Sequence, residues 1–180
     1  MARGSSSPLP RRFVARLHRR DRRALDLHRT HDDARGRAVS LNNLGWLLQD
    51  HDPKLALDEL TQAIGIQQEL VNRSNSDAIW RQHLARSLYN RGIALNHSGD
   101  QTRAITDYTA AITLLTESLE PHRGEVNEQS RRQELARCHN NLAIALKLTN
   151  ENAGNDDPQI EFETAVQLAE ELAAASPNNF

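Results

Sequence analysis

Cysteine is almost missing: Cys138 stands alone in 180 residues, so no disulfide can form within the chain. That usage fits a reducing compartment, and a cytoplasmic location is the expectation. Aromatic residues make up only 4%, which leaves small and aliphatic side chains to do the packing and suits close-packed helices. Glycine and proline are sparse and β-branched runs nearly absent, which argues against strands. No apolar run approaches the ~18 residues of a membrane span. Phosphate-cradling glycine loops, zinc-ligand spacings and nucleophile elbows are missing too, so the expectation is no enzyme and no cofactor.

The net charge of -2 hides an asymmetry. Residues 1–30 hold nine Arg and two Asp, hence +7; the rest holds thirteen basic and twenty-two acidic residues, hence -9. Residues 1–10 are small, polar and proline-punctuated, the composition of a disordered leader. The basic run Arg11 to Arg23, with Phe13, Val14 and Leu17, has three readings. It can be a solvated leader or an over-long start, a transit peptide, or a basic arm for nucleic acid or anionic lipid. Only Phe13 could stack on a base, so nucleic acid is not the expected partner.

What the chain does have is a repeat. Arg81 to Leu95 (RQHLARSLYNRGIAL) returns at Arg132 to Leu146 (RQELARCHNNLAIAL), a shift of 51 that aligns Asn90 with Asn141. Nine of the fifteen positions are identical. A weaker copy, AVSLNNLGWLL from Ala38 to Leu48, lies 47 residues upstream and brings Asn43 into the same place. Repeats at such spacings set the architecture.

Each copy opens a pair of helices. The spacing of Leu41, Leu44 and Leu48 predicts a helix over about 37–50, and Pro53 opens the next, to about Val71. Further helices are expected over 78–97, 101–119, 128–148 and 158–175. Ser98-Gly99-Asp100 is a tight break with a glycine available for a left-handed cap. The hairpins are therefore about 37–71, 78–119 and 128–175, within a repeat domain of 31–180.

Their contact residues resemble the tetratricopeptide repeat (TPR). The middle copy places Leu88, Gly92 and Leu95 on its first helix and Ala104, Tyr108 and Ala111 on its second. The first copy gives Leu41, Gly45, Leu48, Ala56, Leu60 and Ala63; the third gives Leu142, Ala143, Leu146, Phe162 and Ala165. Only Gly or Ala lets two helix backbones approach closely, and a large residue fills the space beside them. The resemblance covers about residues 37–175. The long repeats and the runs NNLG and NNLA look closer to the kinesin-light-chain-like and bacterial branch than to the usual 34-residue kind. Three departures stand out: the long spacing, Leu41, Leu88 and His139 where an aromatic is usual, and Pro158 in a small-residue slot. The stretch Ala24 to Gly45 reads as one repeat running into the next, as in a piece of a longer array. The resemblance implies an all-α fold, a right-handed superhelical array of about three hairpins. It also implies a non-enzymatic scaffold that binds a protein or peptide in its concave groove.

At 100° per residue, Leu88, Gly92 and Leu95 share one side of the first helix, and Arg86, Asn90, Ile93 and His97 the other. The equivalents are Arg137, Asn141, Ile144 and Leu148 in the third copy, and Val39, Asn43, Trp46 and Asp50 in the first. In a TPR array this second stripe lines the groove. An asparagine ladder offers donors and acceptors to an extended backbone. Arg86 and Arg137 could hold a carboxylate or phosphate. Trp46, Ile93 and Ile144 could take apolar side chains. In similar families the recurring Asn contacts peptide; the competing reading is that it braces the neighbouring repeat. Self-association through the terminal repeats stays open. His28, His31, Asp32 and Asp33 form the densest metal-like cluster but read as an exposed helix end. Cys138 reads as a small core residue and Tyr89 as a packing or rim residue.

Overall fold

The structure, a computed structural model, describes residues 34–73, 78–119, 128–149 and 158–175. The Arg-rich leader and the His28–Asp33 cluster lie outside the described residues. Among those residues the chain is all helical: α1 (Ala34–Leu48), α2 (Pro53–Arg73), α3 (Ala78–His97), α4 (Gln101–Leu119), α5 (Glu128–Thr149) and α6 (Pro158–Ala175), with no strand. No described helix is long and apolar enough to cross a membrane.

The helix ends follow from local chemistry. Asp52 caps α2: its Oδ1 accepts from the Leu55 amide at 3.1 Å, and Pro53 takes the first position, where no amide donor is missed. Asp100 caps α4 the same way, through the Arg103 amide at 3.1 Å. Between α3 and α4 the chain reverses at Gly99, whose φ of 83° suits a residue without Cβ. There the Asp100 amide donates to the Leu95 carbonyl (2.9 Å) and the Gly99 amide to the Asn96 carbonyl (3.1 Å), closing the helix end in a Schellman turn. Pro158 starts α6 and disrupts nothing, because it too is a first helical residue.

Every helix packs on its neighbours in sequence, and α3 also touches α1 and α5 directly. Two rows result, α1, α3 and α5 in one and α2, α4 and α6 in the other. Within a hairpin the helices cross at a glycine. A Cβ on Gly92 would stand 2.5 Å from Tyr108 Cε1. One on Gly45 would stand 2.9 Å from Leu60 Cδ2 and 3.1 Å from the Ala56 carbonyl oxygen. The fully buried Leu60 and Tyr108 thus occupy the space that the glycines leave. In α5 the buried Ala143 occupies the same position, so the third hairpin has alanine where the first two have glycine.

The core runs on from hairpin to hairpin. Leu44, Leu48, Ala56, Leu60 and Ala94 join α1, α2 and α3. Leu84, Leu88, Ala111, Leu115, Leu135 and Cys138 join α3, α4 and α5, with Ile64 and Val71 of α2 packed against them. Beside them the buried Asp107 accepts from Arg91 Nε and one terminal nitrogen, each at 2.8 Å, and the other terminal nitrogen of Arg91 donates to Thr61 Oγ1 at 3.3 Å. The fork ties α4, α3 and α2 together.

Gly92→Ala adds about 1 kcal/mol of helix propensity but overpacks the Tyr108 ring, which costs about 1–3 kcal/mol. The expected outcome is net destabilisation in chemical denaturation. Gly65→Ala, where nothing lies within 4 Å of the added Cβ, should instead stabilise by about 0.5–1 kcal/mol. If the two substitutions behave alike, the crossing is not as tight as described.

Candidate functional site

The row formed by α1, α3 and α5 carries the recurring asparagines, and they are not equivalent. Asn90 is buried, and its Nδ2 donates to Asn42 Oδ1 at 2.9 Å. The buried Ser87 hydroxyl donates to the same oxygen at 3.0 Å. Asn141 is half-buried and donates from Nδ2 to the Tyr89 hydroxyl at 3.0 Å. Shifts of 47 and 51 make Asn42, Tyr89 and Asn140 one position of the repeat. So the asparagine of each later copy donates to the residue just before the asparagine of the preceding copy. Asn43, in the first copy, is exposed; its Oδ1 lies 3.4 Å from Asn42 Nδ2.

Beside this ladder lies a cavity of about 380 Å³. Asn42, Asn43 and Trp46 wall it from α1, and Ala85, Arg86, Tyr89, Asn90 and Ile93 from α3. Glu134, Arg137 and Cys138 wall it from α5, and Leu115 of α4 completes it. Six of the nine residues expected on the groove come together here: Asn43, Trp46, Arg86, Asn90, Ile93 and Arg137. Trp46 is 53% exposed, an unusual position for the largest apolar side chain. Asn141, Ile144 and His97 are outside the lining. Ile144 is exposed further along α5, and exposed His97 sits at the end of α3 with Nδ1 3.4 Å from Asp50 Oδ1.

The two arginines differ in their surroundings. Arg86 donates from Nε (3.0 Å) and a terminal nitrogen (2.6 Å) to Glu134 Oε1, while Gln82 donates to Glu134 Oε2 at 3.1 Å. That carboxylate already neutralises Arg86. Arg137 is exposed and has no carboxylate partner among the described residues. The register contained a sign of Glu134: it precedes Arg137 by three residues, so it extends the stripe 137, 141, 144 by one turn. Asn42 lies one residue off that stripe, outside the expected site; Tyr89, at the equivalent position and expected to pack or sit on the rim, lines the cavity and packs against the core.

Burial governs the titration of the cavity wall. Desolvation pushes the Cys138 thiol up to about 12, and nearby Glu134 adds to it. The Tyr89 hydroxyl is raised by desolvation and by Cys138, against smaller opposing effects of Arg137 and Asn141. Tyr108 is raised further, again mainly by burial. Cys138 is therefore a protonated core thiol at neutral pH and no nucleophile. Among the described residues no group of three or more His, Cys, Asp or Glu could hold a metal ion.

All three acids keep their protons longer when folded than when unfolded. The unfolded chain then binds fewer protons above about pH 9, and stability falls as pH rises from there towards 12. Thermal melts from pH 7 to 11 should show this decline, shallower in Cys138→Ala and Tyr108→Phe. A decline of equal slope in all three chains would contradict it. No protein-family model matches the chain, and no curated protein matches it in sequence.

Proposed function

We propose that this chain is a non-enzymatic interaction module, a right-handed superhelical array of three TPR-like hairpins. A protein or peptide segment binds on the face of α1, α3 and α5. The observation that carries the reading is the 380 Å³ cavity between these helices with the half-exposed Trp46 on its wall. Such a volume is at the lower end of ordinary ligand sites and suits one large side chain of a bound segment. Curvature supports it as well. First helices of successive hairpins touch, whereas second helices make marginal contact at most. A stack wedged in this way curves towards its first helices, which puts the cavity on the inner side.

The mechanism divides the labour. Trp46 and Ile93 cover an apolar side chain, and a rigid indole supplies much contact area for little lost entropy. Arg137 pairs an acidic group of the same segment bidentately. Asn43 is exposed, and its side-chain amide donor meets the segment's backbone while its Oδ1 also accepts from Asn42 Nδ2. Asn90 and Arg86 serve mainly to hold the wall. No cofactor or metal enters this mechanism, and nucleic acid is not its ligand.

Selection from a random peptide library against the full chain should enrich segments with a large apolar residue beside an acidic one. Trp46→Ala and Arg137→Glu should each weaken these peptides by about tenfold or more, at unchanged circular dichroism. Enriched peptides that bind both variants as well as the parent would overturn the reading.

A further inference from the structure

We infer that Glu134 sets the charge of the acidic group that the groove accepts, a role that rests on segment binding there: a single carboxylate is taken and a phosphate is turned away. Glu134 is thus a specificity-determining residue that acts through the two arginines beside it.

Among the described residues, three charged side chains line the cavity: Arg86, Glu134 and Arg137. Two guanidinium groups and one carboxylate leave its wall with a charge of +1. The carboxylate is committed to α3. Glu134 Oε1 accepts from Arg86 Nε at 3.0 Å and from a terminal nitrogen at 2.6 Å, and Oε2 accepts from Gln82 at 3.1 Å. The Glu134 side chain is 17% exposed and that of Arg86 47%, so the carboxylate is the better shielded of the pair.

Without those donors Glu134 would have a second choice. It precedes Arg137 by three residues on α5, and side chains so spaced are neighbours, with Cβ atoms roughly 5–6 Å apart. An ion pair formed there would close Arg137 to a ligand. By holding Glu134, Arg86 and Gln82 keep Arg137 open. Both charges are felt inside the cavity. Burial raises the Cys138 thiol and Glu134 raises it further; burial raises the Tyr89 hydroxyl and Arg137 opposes the rise.

An anion entering beside Trp46 therefore meets one guanidinium that has no carboxylate partner among the described residues, with Glu134 one helical turn away. An Asp or Glu of the segment brings one negative charge and neutralises the wall. A phosphoserine brings about −1.5 to −2 and leaves the wall negative, with the excess next to Glu134. Ala85, Leu115 and Cys138 behind the site offer no counter-charge. Such juxtaposition of like charges excludes a wrong partner more than it strengthens the right one.

The probes are three synthetic peptides built on the sequence selected against the full chain: one with its Asp or Glu, one with Gln there, and one with phosphoserine there. Each is titrated by fluorescence anisotropy into the parent chain, Glu134→Gln, Arg86→Gln and the double variant. In the parent the carboxylate peptide should bind about tenfold tighter than the Gln peptide, and tighter than the phosphoserine peptide. Glu134→Gln should strengthen the phosphoserine peptide about tenfold, so that it overtakes the carboxylate peptide. Arg86→Gln should erase the carboxylate advantage, because Glu134 then turns to Arg137. The double variant, again at +1, should restore it. The Gln peptide should bind all four chains alike, which reports an intact groove. A phosphoserine peptide that binds the parent tightest, an order of affinities that Glu134→Gln leaves unchanged, or a carboxylate advantage that survives Arg86→Gln would each overturn the role of Glu134 while Trp46-dependent binding stands. A selection that yields no Trp46-dependent peptide would remove groove binding and this role together.

Discussion

Asn90 donates its side-chain amide to Asn42, and Asn141 repeats the gesture to Tyr89. These two bonds fix how one hairpin sits on the next. Helix faces of Leu and Ala slide past one another at little cost, because such contacts are numerous and undirected. A buried amide with one acceptor in reach does not slide. Moving α3 one turn along α1 would strand both the Asn90 donor and the Asn42 oxygen that Ser87 shares. Leaving such a group unmet costs about 1–3 kcal/mol, more than the bond itself contributes. The cavity beside Trp46 exists because this register holds α1, α3 and α5 at their present offset.

Inside each hairpin a different constraint acts. Gly45 and Gly92 let the second helix approach, and Leu60 and Tyr108 fill the vacated space. The Arg91–Asp107 fork then locks the middle pair and reaches back to Thr61. In the last hairpin the tie is electrostatic. His139 meets Glu161, and Arg132 spans from Glu128 (2.9 Å) to Glu171 (3.0 Å). Steric fit sets the crossing, and polar contacts choose among the rotations that fit allows.

Much of this was legible in the sequence. The helices and their turns follow from periodicity, Pro53, Gly99 and Pro158, which act locally. The Gly92–Tyr108 crossing was legible because a small residue and a large one recur in register. α1 already includes Ala34, three residues before the expected Arg37, because Ala34 and Arg35 favour helix and no capping residue marks a start at Arg37. The asparagines were not decidable, since a brace and a ligand contact would both repeat. Nor could spacing show that Glu134 neutralises Arg86 and leaves Arg137 open. That depends on the rotation of α5 against α3, a tertiary quantity that no single helix encodes. His97 and Ile144 share the stripe by angle but lie too far along their helices to reach the cavity.

The most direct measurement is a double-mutant cycle on Asn42 and Asn90, with stability read by urea denaturation. Asn42→Ala and Asn90→Ala should each destabilise the chain, and the pair should cost less than the sum by about 1 kcal/mol, since the second substitution removes a group already stranded. Effects that add within about 0.3 kcal/mol would show that the two side chains do not brace the hairpins, and the register would need another cause.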